Sequence, residues 1–243
     1  MLSKLLKDSR STVIFSGAGM STESGLADFR SADRGMWNNR NPMGLATVEA
    51  MDFNRDEFIR FYQWRIQEML SHQPNEGHRI IAEWERRGLI TGVITQNVES
   101  YHEQAGTRRI AKLHGDLGTL RCKDCNITYE ARMYLKPEER TICECGGLIR
   151  PNVVLFGEML PQQQLQLAAK WMEEAELFIV LGSSLQVSPA NQLPRQAKAN
   201  GAKLVIVNHD PTPVDSIADL VINSSIGVTL RIADEELRGK SSH

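Results

Sequence analysis

Residues 13–30 read VIFSGAGMSTESGLADFR, and their short apolar run passes directly into a glycine pair, Gly17 and Gly19. A glycine after a buried strand lets the backbone approach a phosphate, and the N–H groups of the following helix then hold the anion. The usual dinucleotide fingerprint has a third glycine three residues after the second, where this chain has Thr22. A tight turn without any ligand explains the glycine pair equally well. The long run to residues 28–30, an acid, an aromatic and an arginine, predicts a lid near the reacting end of a ligand.

Short apolar runs alternate with helical patterns along the rest of the chain. Strands are predicted at residues 11–17, 89–97, 110–115, 177–184, 203–210 and 219–225. Several of these runs are almost continuously apolar and β-branched, as expected of parallel strands that are covered on both faces. Helical patterns such as residues 74–88 and 162–176 lie between them. The alternation predicts an α/β fold with a Rossmann-like parallel sheet and helices on both of its faces.

Two segments do not follow this alternation. Residues 34–73 combine a loop with a helix and contain no strand pattern, and residues 121–150 carry all four cysteines. Both segments are interpreted as insertions into the nucleotide-binding domain.

The composition is that of a globular protein without a marked charge bias, since 41% of the 243 residues are hydrophobic and the formal net charge is −2. This balance lacks the electrostatic footprint of nucleic-acid or membrane binding. No apolar run approaches the roughly 20 residues that span a bilayer. Residues 1–12 are interpreted as an amphipathic first helix and not as a signal peptide. We expect a cytoplasmic monomer that has neither nucleic-acid nor membrane partners.

The cysteines form two close pairs, Cys122 with Cys125 and Cys143 with Cys145, separated by 17 residues. Two such pairs suit a tetrahedral zinc site with four sulfur ligands, which is closed and therefore structural. The second pair is one residue tighter than the common C-x-x-C knuckle. Free cytosolic thiols are the alternative.

Polar side chains follow two of the predicted strands, in TQNVESYHEQAG (95–106) and in KLHGD (112–116). Open α/β sheets bind ligands at the carboxyl ends of their strands. The amides of Gln96 and Asn97 can bind a ribose or an amide, whereas a turn leading into a helix is the structural alternative. His114 can act as a base at neutral pH, and its place beside a second polar strand end favours function over a structural role.

Two further parts of the sequence, a glycine-serine turn and a helix, carry residues suited to ligand binding. The turn Gly182-Ser183-Ser184 ends another strand and fits phosphate or ribose contacts, and Asn208 can hold a ribose hydroxyl or form a turn. On the helix at residues 56–70, Arg65 interrupts an apolar stripe. A core helix with a snorkelling arginine explains this stripe. Alternatively, Tyr62 and Arg65 bind an acidic ligand.

These motifs together resemble the sirtuin family of NAD-dependent protein lysine deacylases, from Val13 to about Leu230. In the family's order they are GAGMSTESGLADFR, TQNVESYHEQAG, KLHGD, the cysteine pairs, VVLFGEMLP, GSSLQVSPA and VIVN. The resemblance implies NAD as co-substrate, structural Zn²⁺, and acyl-lysine proteins or peptides as substrates. It also implies an NAD-binding domain of residues 1–33, 85–120 and 151–243. The helical insertion 34–84 and the zinc-ribbon insertion 121–150 would form a small domain.

The resemblance also assigns roles to single residues. The NAD-contacting loop would consist of Gly17, Ala18, Gly19, Ser21 and Arg30. Phe29 would cover the reacting ribose, and Gln96, Asn97 and Glu99 would contact the ribose and nicotinamide region. Those that would hold its phosphates and adenosine ribose are Gly182, Ser183, Ser184 and Asn208. Those that would pair with the substrate peptide as an added strand are Val154, Phe156, Gly157, Glu158 and Val187. The catalytic residues would be His114, as general base, and Asn97.

The implied reaction transfers the acyl group from lysine to ADP-ribose and releases nicotinamide, with His114 deprotonating a ribose hydroxyl. The family usually has Asp where this chain has Glu99, which moves the carboxylate outward by one methylene. Tyr62 and Arg65 resemble the Tyr-x-x-Arg pair of the branch that removes succinyl and malonyl groups.

Three other functions are compatible with parts of the sequence. A protein nucleophile could capture the ADP-ribose, or a zinc-ribbon module could sense NAD without catalysis, although the combination of His114 and Asn97 disfavours the second. An ordinary dehydrogenase is disfavoured most, because the glycine spacing is wrong and no acid follows the second strand at ribose-binding distance.

Overall fold

The computed structural model describes residues 1–29, 35–38, 41–136 and 141–239, without the side chain of Trp37. Its strands are β1 (Thr12–Ser16), β2 (Gly92–Thr95), β3 (Ile110–Lys112), β4 (Gly115–Cys122), β5 (Thr128–Glu130), β6 (Ile149–Val153), β7 (Leu177–Leu181), β8 (Lys203–Val207) and β9 (Leu220–Ile222). Its α-helices are α1 (Leu2–Asp8), α2 (Val48–Phe53), α3 (Arg55–Ser71), α4 (Glu76–Arg86), α5 (Tyr101–Gln104), α6 (Gln162–Glu174), α7 (Leu193–Ala199) and α8 (Ile226–Leu237). Short 3₁₀ helices include Ala18–Ser24, directly after β1.

A six-stranded parallel sheet, here called the large sheet, has the order β3-β2-β1-β7-β8-β9. Every residue of the central strands β1 and β7 is buried, because helices cover both faces. All six predicted strands are present, which confirms the α/β fold class. They are shorter than predicted, since the polar residues at their carboxyl ends leave the sheet. The chain order reverses between β1 and β7, which is where open α/β sheets form a ligand crevice.

Two hydrophobic clusters cover the two faces of the large sheet. On one face, Trp171 of α6 and Ala197 of α7 pack against the sheet. On the other face, Trp84 of α4 and Leu230 of α8 do the same. The crevice at the strand ends therefore sits on a rigid layered frame.

A second sheet, here called the small sheet, is antiparallel with the order β5-β4-β6. This sheet was not predicted from the sequence, because the pattern of residues 110–115 is that of one strand and residues 121–150 lack long apolar runs. The structure ends β3 at Lys112 and begins β4 at Gly115, which has a φ of +78°. A third hydrophobic cluster joins this sheet to α3, with Phe58 and Ile66 packing near Leu120 and Leu148.

Within the described ranges, none of the helices has both the length and the apolar character that crossing a membrane requires.

Candidate active site

A cavity of about 310 Å³ opens at the carboxyl ends of β1, β2 and β7, and we call it the main cavity. Predicted site residues that line it are Gly17, Ala18, Gly19, Phe29, Tyr62, Arg65, Gln96, Asn97, His114, Val154, Phe156, Gly157, Glu158, Gly182, Ser183, Ser184, Val187 and Asn208. Ser21 and Glu99 line a smaller adjoining cavity of about 40 Å³. Arg30 lies outside the described residues. The structure thus brings together groups that are far apart in sequence.

The floor of the main cavity is formed by two interlocked glycine turns. The N–H of Gly19 donates to the carbonyl oxygen of Gly182 at 2.8 Å. A Cβ on Gly17 would lie 2.7 Å from that oxygen, and one on Gly19 would lie 2.7 Å from the Gly182 Cα. Gly182 has a φ of +62°, a conformation that other residues rarely adopt. Packing between the two loops therefore requires glycine at these three positions, in addition to any requirement that a bound ligand sets.

His114 follows β3 and is half-buried in the wall of the main cavity. Its Nδ1 lies 2.9 Å from the carbonyl oxygen of Gln96. Because a carbonyl can only accept a hydrogen bond, Nδ1 carries a proton, and the neutral tautomer compatible with this contact has its lone pair on Nε2. This tautomer suits a general base.

Glu99, Ser21 and Asn97 form a buried polar group beside the main cavity. The Ser21 hydroxyl donates to the Glu99 carboxylate, and the Asn97 side-chain amide lies 3.4 Å from the same hydroxyl. Burial raises the pKa of the Glu99 carboxyl, against the Ser21 hydrogen bond and the charge of Arg65. The longer side chain of Glu99 is therefore engaged by the protein itself.

The two cavities meet at Phe29 and Arg65, which line both. The Arg65 guanidinium lies over the Phe29 ring, 4.9 Å from its centroid. This is within the range of a cation–π interaction. Tyr62, one turn before Arg65 on α3, is buried, and burial raises the pKa of its hydroxyl to about 12. Its hydroxyl is therefore a neutral donor at pH 7.

Residues 154–158 turn along one rim of the main cavity. The Glu158 N–H donates to the Leu155 carbonyl at 3.0 Å, and Gly157 has a φ of +95°, as a type II turn requires. The N–H of Val154 donates to the His114 carbonyl at 2.9 Å, which ties the turn to the candidate base.

The Glu158 side chain points to a buried arginine that was not among the residues predicted from the sequence. Arg150, 1% exposed, donates from Nη1 and Nη2 to the Glu158 carboxylate at 2.6 and 3.0 Å. Its guanidinium also donates to the carbonyls of Pro151 and Val153. A charged residue inside an otherwise apolar strand pattern signals a buried partner. This ion pair fixes the turn of residues 154–158 to β6.

Glu158→Gln is expected to lower the free energy of unfolding by about 1.5–3 kcal/mol at pH 7, because a buried guanidinium loses its charged acceptor. Arg150 keeps the pKa of the Glu158 carboxyl below its usual value. The stabilisation is therefore present above the unfolded-state pKa and is lost as pH falls through the folded-state pKa. Urea unfolding between pH 7 and pH 3 measures both effects, and the gap between wild type and variant should close below about pH 4.

The matched control is Asp52→Asn, which removes the acceptor of an exposed pair with Lys123 at 2.6 Å. We expect it to change stability by less than about 1 kcal/mol. Equal effects of the two substitutions would contradict the role assigned to the buried pair.

The four cysteines meet at the end of the small sheet. Their Sγ atoms all lie within 4.8 Å of one another, with Cys122 and Cys145 at 3.5 Å and Cys125 and Cys143 at 3.6 Å. These separations exceed a disulfide bond of about 2.05 Å. They agree with the roughly 3.8 Å that Zn–S bonds of about 2.3 Å impose in a tetrahedron. The donor set fits zinc, and the tighter second pair does not prevent the arrangement.

Comparison with known proteins extends these findings. Residues 17–189 match the model described as the Sir2 family. The chain is 51% identical over 233 residues to NAD-dependent protein deacetylase 1 of Geobacillus kaustophilus, with 96% of each chain covered. It is 51% identical over 239 residues to an NAD-dependent protein deacetylase of Halalkalibacterium halodurans, covering 98% of this chain and 100% of the relative. A solved Sir2 complex with a p53 peptide and NAD⁺ superposes with a TM-score of 0.88 at 38% identity, covering 99% of this chain and 98% of that one.

Proposed function

This chain belongs to the Sir2 family and is an NAD-dependent protein deacylase, and we propose that the main cavity is where it transfers the acyl group of lysine to ADP-ribose. The observation that carries this assignment is that His114 shares one cavity with both glycine turns and with residues 154–158. A dinucleotide, an acyl-lysine and a general base can therefore meet in one place. Nicotinamide is the leaving group.

His114 is the general base in this proposal. The Gln96 carbonyl orients its ring, so that Nε2 takes a proton from a ribose hydroxyl. Asn97 and Glu99, held beside Ser21, would contact the ribose and nicotinamide end. Phe29 would cover that end, and Arg30 is assigned to the same loop on the sequence motif alone.

The other end of NAD would lie on the glycine turns. A phosphate can lie close to the backbone at Gly17, Gly19 and Gly182, because these residues have no side chain. The N–H groups of the three glycines themselves donate to the carbonyls of Leu181, Gly182 and Val207. The hydroxyls of Ser183 and Ser184 can add donors, and Asn208 lines the same cavity. The Asn208 amide donates to the Asp210 carbonyl at 2.7 Å, which holds its side chain in place.

The substrate peptide would add as a strand between residues 154–158 and Val187. Phe156 already donates its N–H to the Ala46 carbonyl at 2.9 Å, and the Val187 carbonyl accepts from Asn191 at 2.9 Å. The N–H groups of Gly157 and Val187 have no backbone acceptor among the described residues. We therefore assign the pairing of the peptide to these two groups, with Phe156 supplying side-chain contact.

The experiment that tests the function incubates an acyl-lysine peptide panel with NAD and follows the products by mass spectrometry. We expect acyl-ADP-ribose, nicotinamide and free lysine peptide in equal amounts. Nicotinamide release with ADP-ribose attached to protein would instead indicate a transferase, and NAD binding without turnover would indicate a sensor.

A preference for acidic acyl groups is a second candidate, because Tyr62 and Arg65 line the main cavity together with His114. A guanidinium and a neutral hydroxyl can bind a carboxylate at the far end of a succinyl or malonyl chain. Under this hypothesis the acyl chain reaches towards α3.

Arg65→Ala is expected to lower kcat/KM for a succinyl-lysine peptide by about 10²-fold, because a hydrogen bond between charged groups contributes about 1.5–3 kcal/mol. The value for the acetyl peptide should change much less. The control is Arg60→Ala, which removes an exposed arginine from the same helix. A succinyl rate that is negligible in wild type, or that survives Arg65→Ala, would remove this candidate.

We further propose a cytoplasmic monomer with the two-domain division given by the sequence. Four thiols that hold a metal need a reducing compartment, which supports the location. Subcellular fractionation and analytical ultracentrifugation test the two statements.

A further inference from the structure

Two histidines lie side by side in the interior, outside the main cavity. His78 of α4 is 0% exposed and His102 of α5 is 2% exposed, and their ring centroids are 4.9 Å apart in an edge-to-face arrangement. Burial is the largest cause that lowers the pKa of His78 to about 2 and that of His102 to about 4. Both rings are therefore neutral at pH 7, and each has one N–H donor and one acceptor nitrogen.

The hydrogen bonds of His102 determine its tautomer. The Ser16 hydroxyl donates its single hydrogen to Thr95 Oγ1 at 2.8 Å. Ser16 Oγ also lies 2.9 Å from His102 Nε2, so this contact must use the His102 N–H as donor. His102 Nδ1 is then an acceptor, and it has no hydrogen-bond partner among the described residues.

The same reasoning assigns His78. Its Nδ1 accepts the backbone N–H of Asn75 at 3.3 Å, as part of the cap of α4. The proton of the neutral ring is therefore on Nε2, which is also buried and lacks a partner within the described residues. The two adjacent rings thus carry one unmatched donor and one unmatched acceptor.

A third unmatched group belongs to a residue whose backbone is hydrogen-bonded to that of His102. The hydroxyl of Thr107 is buried and without a partner in the described part of the chain. The Thr107 N–H donates to the His102 carbonyl at 3.0 Å, so the backbones of the two residues are directly hydrogen-bonded. Buried polar atoms in native proteins are nearly always paired, and a trapped water needs two to four polar partners. A donor and an acceptor on two adjacent rings are partners that a single water can satisfy.

This buried group is connected to the main cavity by hydrogen bonds. Thr95 Oγ1 accepts from the Asn97 N–H at 3.0 Å, and the Ser16 carbonyl accepts from the Gln96 N–H at 3.0 Å. The Gln96 carbonyl in turn accepts from His114 Nδ1. The position of His102 therefore affects the backbone that orients the general base.

We propose that His78 and His102 hold one buried water molecule and act as positioning residues, which fix the Ser16–Thr95 hydroxyl pair and through it residues 96–97 and His114. Neither ring would touch NAD or the acyl-lysine. The kinetic part of this inference rests on the proposed function, whereas the tautomers and the water site do not.

The first test is structural and independent of turnover. Nitrogen-15 NMR of histidine-labelled protein at pH 7 should show both rings neutral with the proton on Nε2. A high-resolution crystal structure should show one water in contact with His78 Nε2 and His102 Nδ1. A charged ring, the opposite tautomer of His102, or an empty gap between the rings would overturn the water site.

The second test uses Thr95→Val, which keeps the shape of the side chain and removes both acceptor contacts. We expect kcat for acyl transfer to fall about tenfold, with KM for NAD and for the peptide within about threefold of wild type. The matched control is Thr91→Val. Thr91 lies just before β2, at the opposite end of the strand from Thr95, and its hydroxyl lies 3.1 Å from Ser11 Oγ. We expect no change in kcat for this variant.

His102 itself is tested by comparing His102→Gln, which retains an N–H donor, with His102→Leu. The glutamine variant should recover part of the kcat that the leucine variant loses. If His102→Leu does not fold, Thr95→Val and Ser16→Ala decide the question. Equal kcat values for Thr95→Val and Thr91→Val would overturn the positioning role.

Discussion

Replacing His114 with alanine is expected to lower the rate of acyl-ADP-ribose formation by about 10²–10⁴-fold, the usual contribution of a positioned general base. The reason is specific to the geometry. The ring is held by the Gln96 carbonyl at 2.9 Å, so its proton is on Nδ1 and Nε2 can accept another. No other histidine lines the main cavity among the described residues, so no other imidazole can substitute.

The measurement is single-turnover mass spectrometry with an acyl-lysine peptide and NAD. NAD binding should persist in His114→Ala, because the glycine turns are untouched. Nicotinamide exchange should persist too, since the base acts on the ribose hydroxyl after nicotinamide has left. The matched control is His209→Ala, which removes an exposed histidine near Asn208 and should leave the rate unchanged. Equal rates for His114→Ala and His209→Ala would refute the assignment of the base.

Removing the metal from the four-cysteine cluster should have the largest effect on stability. Structural zinc contributes about 10–16 kcal/mol in isolated zinc-finger peptides, and this binding energy is folding energy. If Cys143→Ser lowers the free energy of unfolding by only about 4 kcal/mol, the Tm of a chain of this size should fall by roughly 10 °C. Unfolding should begin in the small sheet, because the four cysteines hold the ends of its strands together. The large sheet has a hydrophobic core of its own.

Scanning calorimetry and limited proteolysis measure this effect together. Cleavage should appear within residues 115–153 before it appears in the strands of the large sheet. The control is Tyr129→Phe, since the Tyr129 hydroxyl lies 3.0 Å from Cys143 Sγ but supplies no thiolate. A Cys143→Ser protein that melts with wild type, or a purified wild type without zinc by elemental analysis, would contradict the structural role.

The fold of the large sheet could be predicted because its strands carry a local signal. Each is an apolar β-branched run that ends in polar residues, and the rule that ligands bind at those ends predicted Gln96, Asn97 and His114. The small sheet escaped prediction because its strands pack on one side against α3, so their apolar residues do not form long runs.

Residues that act through other residues were the hardest to predict. Ser16 and Thr95 are ordinary strand residues in sequence, and only the parallel register of β1 and β2 places their hydroxyls together. His102 belongs to the same stretch, residues 95–106, as Gln96 and Asn97, but its contact with His78 depends on the packing of α5 near α4. Arg150 carries a signal in its apolar surroundings, whereas its partner Glu158 lies on a turn. Such pairs are tertiary contacts, and no local sequence pattern indicates which two residues will meet.

The interlocked glycine turns have a consequence for how this enzyme could be altered. Where they meet, the floor of the main cavity is made of backbone at Gly17, Gly19 and Gly182, and an added methyl group at any of them would collide with the facing loop. Side-chain substitution therefore cannot reshape that floor. Tyr62 and Arg65 line the same cavity, but they are side chains on a helix and can be exchanged singly. Engineering of this scaffold should thus be able to change which acyl group is removed while the nucleotide that drives the reaction stays the same.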